Sequence, residues 1–230
     1  MELIPFLALV WVAAPALAGC ALSCQPTNPP ISVLFFPPIR LPLSVLLFLL
    51  LLLVVAALRV VELRISKRHQ RDMKAQGAAK AKDPIFPVMA VFHSLVLIGA
   101  AVEVVFLHRP FLPALAIPMI ALFILANVVR WWVIRTLGQH WNVEVMDSTR
   151  LGVITTGPFR YVRHPNYAAV FVEMIALPLI HTAWITAFVG AIAHDAVLSA
   201  RLSAEERVLF ADPAYSAAMS SKPRFLPGLF

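Results

Sequence analysis

Leu41–Leu63 reads LPLSVLLFLLLLLVVAALRVVEL, and the next twenty residues, Arg64–Asp83, read RISKRHQRDMKAQGAAKAKD. The hydrocarbon core of a bilayer is about 30 Å thick and takes roughly 20 apolar residues of helix to cross. The first stretch supplies them. The second carries Arg64, Lys67, Arg68, Arg71, Lys74, Lys80 and Lys82 against Asp72 and Asp83. A short loop so rich in Lys and Arg stays on the cytosolic side. Together they predict a membrane-spanning helix of defined orientation, followed by a polar, mobile cytosolic loop.

Further apolar runs lie on both sides. Ile85–Leu107 and Phe111–Ile134 are long enough to span, whereas Ala168–Ile180 and Trp184–Ala200 are short or interrupted by Pro178, His194 and Asp195. Leu3–Ala18 is a further apolar stretch. The expected fold is all-α, a multi-pass transmembrane bundle of five or six helices with a cofactor pocket at its cytosolic end. Composition agrees, with 60% hydrophobic and 13% charged residues, too few charges to cover a soluble core. The net charge of +7 serves orientation in the bilayer, and no zinc-finger spacing or nucleic-acid recognition motif accompanies it.

Counting helices forward from the basic loop puts His108-Arg109-Pro110 in a tight outer turn. Arg135–Tyr167 and the tail after Arg201 then return to the cytosol. Only Arg40 and Arg109 fall outside. The division expected is 1–110, N-terminal helices with the basic loop 64–83, and 111–230, a catalytic membrane region. Leu17-Ala18-Gly19-Cys20 has the look of a lipoprotein cleavage site, but Glu2 stands where a signal sequence carries basic residues. An uncleaved helix is expected there, with a signal sequence as the alternative. Cys20 and Cys24 form no paired metal motif.

Residues that can do chemistry cluster at 138–167 and 194–227. Residues 157–167 read Gly-Pro-Phe-Arg-Tyr-Val-Arg-His-Pro-Asn-Tyr. Gly157-Pro158 turns the chain. Pro165 biases His164 away from helix, and Asn166 can cap a helix that begins near Tyr167. Arg163 and His164 thus lie just ahead of a helix N-terminus, where cations and free N–H groups favour an anionic ligand. Arg160 is read as part of a juxtamembrane basic-aromatic belt.

This stretch resembles the isoprenylcysteine carboxyl methyltransferase family, including bacterial relatives. The resemblance covers about residues 120–230. It takes in Leu137-Gly138 with Trp141, then Leu151–Tyr167, Glu173, Leu177-Pro178-Leu179, Arg201–Glu206 and Arg224-Phe225-Leu226-Pro227. It implies S-adenosylmethionine as cofactor and a lipophilic small molecule or lipidated acceptor drawn from the membrane. It also implies that Tyr161, Arg163, His164, Pro165, Tyr167 and Glu206 hold the cofactor, with Arg201 and Glu205 at the reacting groups. Relatives often carry two tyrosines three apart near the end. Here Tyr215 is followed by Ala218, which puts an acceptor contact in doubt.

If the last membrane helix continues past Ala200, His194, Arg201 and Glu205 share one face. Arg201 and Glu205 also suit an ordinary i, i+4 ion pair. Glu173, two turns into a membrane helix, must face the bundle interior, while Glu103 reads as an interfacial charge with His108 and Arg109. His194 and Asp195 either polarise a substrate hydroxyl or satisfy each other. His140, Trp141, Asn142 and Glu144 are placed to fold over the pocket as a lid. No metal site, nucleic-acid partner or obligate protein partner is expected. A carboxylate acceptor needs only a cation to position it, whereas an enol or phenol gains from a base such as Glu205 or His194. The rival readings are a phospholipid N-methyltransferase and an NADPH-dependent sterol-type reductase, which shares an Arg-His-Pro-Asn-Tyr stretch.

Overall fold

The computed structural model describes residues 41–80, 85–147 and 152–225. The N-terminal alternatives, Cys20, Cys24 and the last residues of the tail lie outside these. Among the described residues the fold is all-α. Its helices are α1 Leu43–Ala75, α2 Ile85–Phe106, α3 Pro113–Leu137, α4 Pro165–Leu179, α5 Trp184–Leu209 and α6 Pro213–Met219. Four of them, α1, α2, α3 and α5, are long and apolar enough to cross a membrane. At 15 residues, α4 is about 22 Å long, shorter than the hydrocarbon core. It packs between α3 and α5, and most of its side chains from Ala169 to Leu179 that face these neighbours are buried.

One packed core joins Val45, Phe48, Leu52 and Val55 of α1 to Ala100 and Val104 of α2 and to Leu177, Ile180 and Ala183 around the α4–α5 turn. The opposite faces carry Leu46, Leu50, Leu53, Leu95, Ile98, Leu125, Val128, Phe188 and Ile192 in the open. An apolar surface of that extent on a helical bundle is what lipid tails cover.

The basic stretch departs from the expectation of a mobile loop. Helix α1 runs on to Ala75, 33 residues in all, or about 50 Å. Arg64–Ala75 contains neither Gly nor Pro and is rich in good helix formers. Ser66, Gln70 and Met73 are buried at helical spacing on one face, so the extension also has something to pack on. It stops where Gly77 takes φ +91, and the N–H of Ala78 closes the last turn on the Met73 carbonyl at 3.0 Å. The chain then makes a short antiparallel pairing, Ala79 with Asp147 and Lys80 with Met146. An ion pair joins Lys80 to Glu144.

Two turns close the opposite end. His108 adopts φ 49 and Thr182 φ 53, and the Thr182 hydroxyl donates to the Pro110 carbonyl at 2.6 Å. Glu103 is not the interfacial charge expected from its neighbours. It is buried and accepts from the backbone N–H of Ile185 at 3.1 Å and of Thr186 at 2.7 Å. It therefore satisfies the free donors at the start of α5 while pairing with Arg109 at 2.7 Å.

Candidate active site

The loop before α4 is built by local rules. Gly157 has φ +57, and a Cβ there would meet the Thr136 hydroxyl at 2.5 Å, so only glycine fits against α3. Pro158 and Phe159 continue into a single 3-10 turn ending at Arg160. Helix α4 begins at Pro165, two residues ahead of the expectation, because proline suits the first helical position. The position before it belongs to His164, and Asn166 is released from capping. The Asn166 side-chain oxygen accepts from Arg130 at 3.4 Å.

The C-terminal tail zips onto this loop. The N–H of Arg163 donates to the Pro223 carbonyl and that of His164 to the Arg224 carbonyl, both at 2.9 Å. Glu206 holds the junction from α5. It meets His164 Nε2 at 3.2 Å, Arg163 at 3.4 Å and Arg224 at 2.6 Å, and the hydrogen bonds that Arg224 donates to Glu206 raise the pKa of its guanidinium above the ordinary value. The Arg163 guanidinium lies 5.3 Å over the Phe210 ring, which leaves its buried Nε without a hydrogen-bond partner among the described residues.

Beside the junction, the Tyr167 hydroxyl donates to Glu205 and accepts from Arg201 Nε at 3.1 Å. Arg201 also reaches the Val143 carbonyl at 2.8 Å. Helix α5 is continuous through this region, so His194, Arg201 and Glu205 do share a face. Arg163, His164, Pro165, Tyr167, Arg201 and Glu205 all line one cavity of about 480 Å³. Tyr215 lines it too, and burial, followed by the nearby Glu205 carboxylate, pushes its phenol up, which keeps it a neutral donor.

Two expected residues do not line the cavity. Tyr161 is 55% exposed. It follows the 3-10 turn on its exposed side while its neighbour Val162 is buried. Glu206 is consumed by its three basic partners and braces the loop from behind. The four residues expected as a lid, His140, Trp141, Asn142 and Glu144, do line it. They are carried by the extension of α1, where Ser66 Oγ accepts from the Val143 N–H at 3.1 Å and His69 meets the Trp141 carbonyl at 2.9 Å.

Sequence reasoning missed a buried charge network in the cavity wall. Arg59 pairs with Glu62 at 2.7 Å and with Glu173 at 2.6 Å, and Arg130 pairs with Glu62 at 2.6 Å. Two cations and two anions from α1, α3 and α4 thus neutralise one another. The signal was available, since Arg59, Glu62 and Arg130 fall inside apolar spans, where a charge must find a partner. His93 and His194 lie further along the same cavity. His194 does not pair with Asp195, which is exposed.

Residues 119–211 match the isoprenylcysteine carboxyl methyltransferase (ICMT) family. Over 164 residues the chain is 27% identical to "Uncharacterized protein YpbQ" of Bacillus subtilis (strain 168), covering 71% of this chain and 96% of that protein. It is 28% identical over 156 residues to an uncharacterized protein of Haemophilus influenzae, covering 67% of this chain and 90% of that one.

Proposed function

Residues 119–211 match the isoprenylcysteine carboxyl methyltransferase family, and from this premise we propose that the chain is a membrane methyltransferase that moves a methyl group from S-adenosylmethionine to a carboxylate or hydroxyl oxygen of a lipophilic acceptor. The observation that carries the reading is the cavity. One end of it gathers Arg163, His164, Tyr167, Arg201 and Glu205, and the rest is walled largely by apolar side chains from α1, α2 and α4 such as Val55, Leu97 and Leu177, apart from the mutually neutralised Arg59, Glu62, Arg130 and Glu173 and the two histidines, His93 and His194. A polar cofactor and an apolar acceptor require that combination.

The residues present fit the cofactor. The buried Nε–H of Arg163 has no protein partner among the described residues, and it lies beside the N-terminus of α4. Both favour a carboxylate, which an aminoacyl-type cofactor carries. Trp141, Val145, Val153 and Ile154 line the same end and offer an apolar face to a purine. When bound, S-adenosylmethionine supplies a sulfonium methyl that passes to a nucleophilic oxygen as the carbon–sulfur bond breaks. The protein's part is alignment and exclusion of water. Arg201, held by Tyr167 and Val143, positions an anionic oxygen. Glu205 takes the proton where the acceptor is a hydroxyl. The lid residues 140–144 cover the reacting groups.

The test is equilibrium binding of radiolabelled S-adenosylmethionine and of NADPH to the protein in detergent, followed by methyl-transfer assays over an acceptor chain-length series. Those series include prenylated cysteine analogues and long-chain phenols or pyrones. Binding of S-adenosylmethionine and faster transfer to longer acceptors are expected. Binding of NADPH alone, or equal rates for short soluble acids and long-chain acceptors, sinks the reading.

A further inference from the structure

His194 is 1% exposed and lines the cavity on the apolar side of Arg201. Neither of its ring nitrogens has a hydrogen-bond partner among the described residues, and the buried Nε2 of His93 has none either. The two imidazoles stand side by side across the α2–α5 contact, 5.6 Å between ring centres and tilted by 43°. Around His194 pack Phe92 at 6.1 Å and Phe171 at 5.9 Å. A phenylalanine would fill such a surrounding without cost, whereas a buried imidazole with unmet nitrogens is expensive, all the more inside a membrane bundle. Packing alone therefore does not account for the buried His194 beside the half-buried His93, whose Nε2 has no partner among the described residues. The nearby Ser94 hydroxyl does not serve them, because it donates to the Ala90 carbonyl of its own helix at 2.9 Å.

We propose that His93 and His194 form a second polar contact for the acceptor, taking a hydroxyl group carried on its apolar portion. This deepens the proposed function and rests on it only for the identity of the bound lipid as the methyl acceptor. A neutral imidazole has one donor nitrogen and one acceptor nitrogen. A hydroxyl between two of them accepts from one ring and donates to the other, which meets one nitrogen of each ring and both capacities of the hydroxyl. The torsion about the bond to the imidazole is broad, so a modest rotation turns a nitrogen towards the cavity. Seven residues of α5 separate His194 from Arg201 on the same helical face, a rise of about 10 Å. The selected ligand thus bears its hydroxyl about 10 Å from the oxygen held at Arg201, the mid-chain region of a long-chain acid.

The experiment measures binding of radiolabelled stearate and of a mid-chain hydroxystearate to the intact protein in detergent, without and with S-adenosylmethionine. The wild type is expected to bind the hydroxy acid about tenfold more tightly, the factor that one or two net hydrogen bonds provide. His194→Phe and His93→Phe should each abolish that preference while keeping affinity for stearate, and His194→Gln, which retains a donor and an acceptor, should restore part of it. Thermal unfolding of each variant reports whether it is folded, and either phenylalanine variant alone suffices. A wild type without the preference, or a preference that survives in the folded phenylalanine variants, overturns the proposal. S-adenosylmethionine binding is read separately in the same samples. Its absence from the wild type would count against methyl transfer while leaving the histidine result to stand or fall on the lipid data.

Discussion

Arg163 and Tyr161 stand two residues apart in a motif that, as sequence, invites the same role for both. In the structure one lines the cavity with a buried Nε that has no partner among the described residues, and the other is exposed. Arg163→Ala should therefore weaken S-adenosylmethionine binding by about 1–3 kcal/mol, the value of a lost charged hydrogen bond. Tyr161→Ala should leave it unchanged within error. Isothermal titration on the two purified variants checks this, and equal losses in both would contradict the geometry. Glu205 makes a separate claim. It holds Tyr167 and approaches Arg201 at 4.0 Å, so Glu205→Gln keeps the shape of the group but removes its charge. Turnover at saturating acceptor should fall while the melting temperature moves little. Unchanged turnover would remove Glu205 from the reacting groups.

At the scale of elements, the least expected feature is the reach of α1. Its membrane part contributes Arg59 and Glu62 to the cavity wall, and its last turns carry the residues that cover the cavity. Glu62 joins two arginines, and deleting its carboxylate leaves Arg130 buried without a counter-charge. Removing one partner of a buried pair typically costs about 3–5 kcal/mol. Glu62→Ala should thus lower the melting temperature markedly in detergent, more than substitution of a lipid-facing leucine such as Leu53→Ala. Comparable shifts in the two variants would mean that the network contributes no more than ordinary packing. Since residues 119–211 carry the family match, α1 also brings charged residues into the cavity wall from outside that region.

For the molecule as a whole, we propose from the seven basic residues between Arg64 and Lys82 that the end of α1 lies in the cytosol, together with the cavity mouth and the tail. Ala75→Cys, in a chain with Cys20 and Cys24 changed to serine, should resist a membrane-impermeant maleimide in intact cells and react after permeabilisation. Strong labelling from outside would invert the topology and remove cytosolic cofactors from reach.

Three of the long spans, α1, α2 and α3, were legible in the sequence because a bilayer imposes a length and an apolar composition that no folding detail can override; the fourth, α5, read as short because His194 and Asp195 interrupt its apolar run. The Arg163-His164-Pro165 turn was legible because proline restricts both itself and its predecessor. Helix α5 continuing past Ala200 was foreseeable as a condition, since a 3.6-residue period aligns His194 with Arg201 and Glu205. Local chemistry could not show that Arg64–Ala75 stays helical, because its buried face exists only once Trp141–Val143 folds against it. Nor could it separate Glu205 from Glu206. Adjacent residues on a helix point about 100° apart, and only the packing of the tail against the loop decides which carboxylate faces the cavity and which braces it. The charge network and the neighbouring His93 and His194 are of the same kind, for each joins helices distant in sequence whose contact is made by tertiary packing alone.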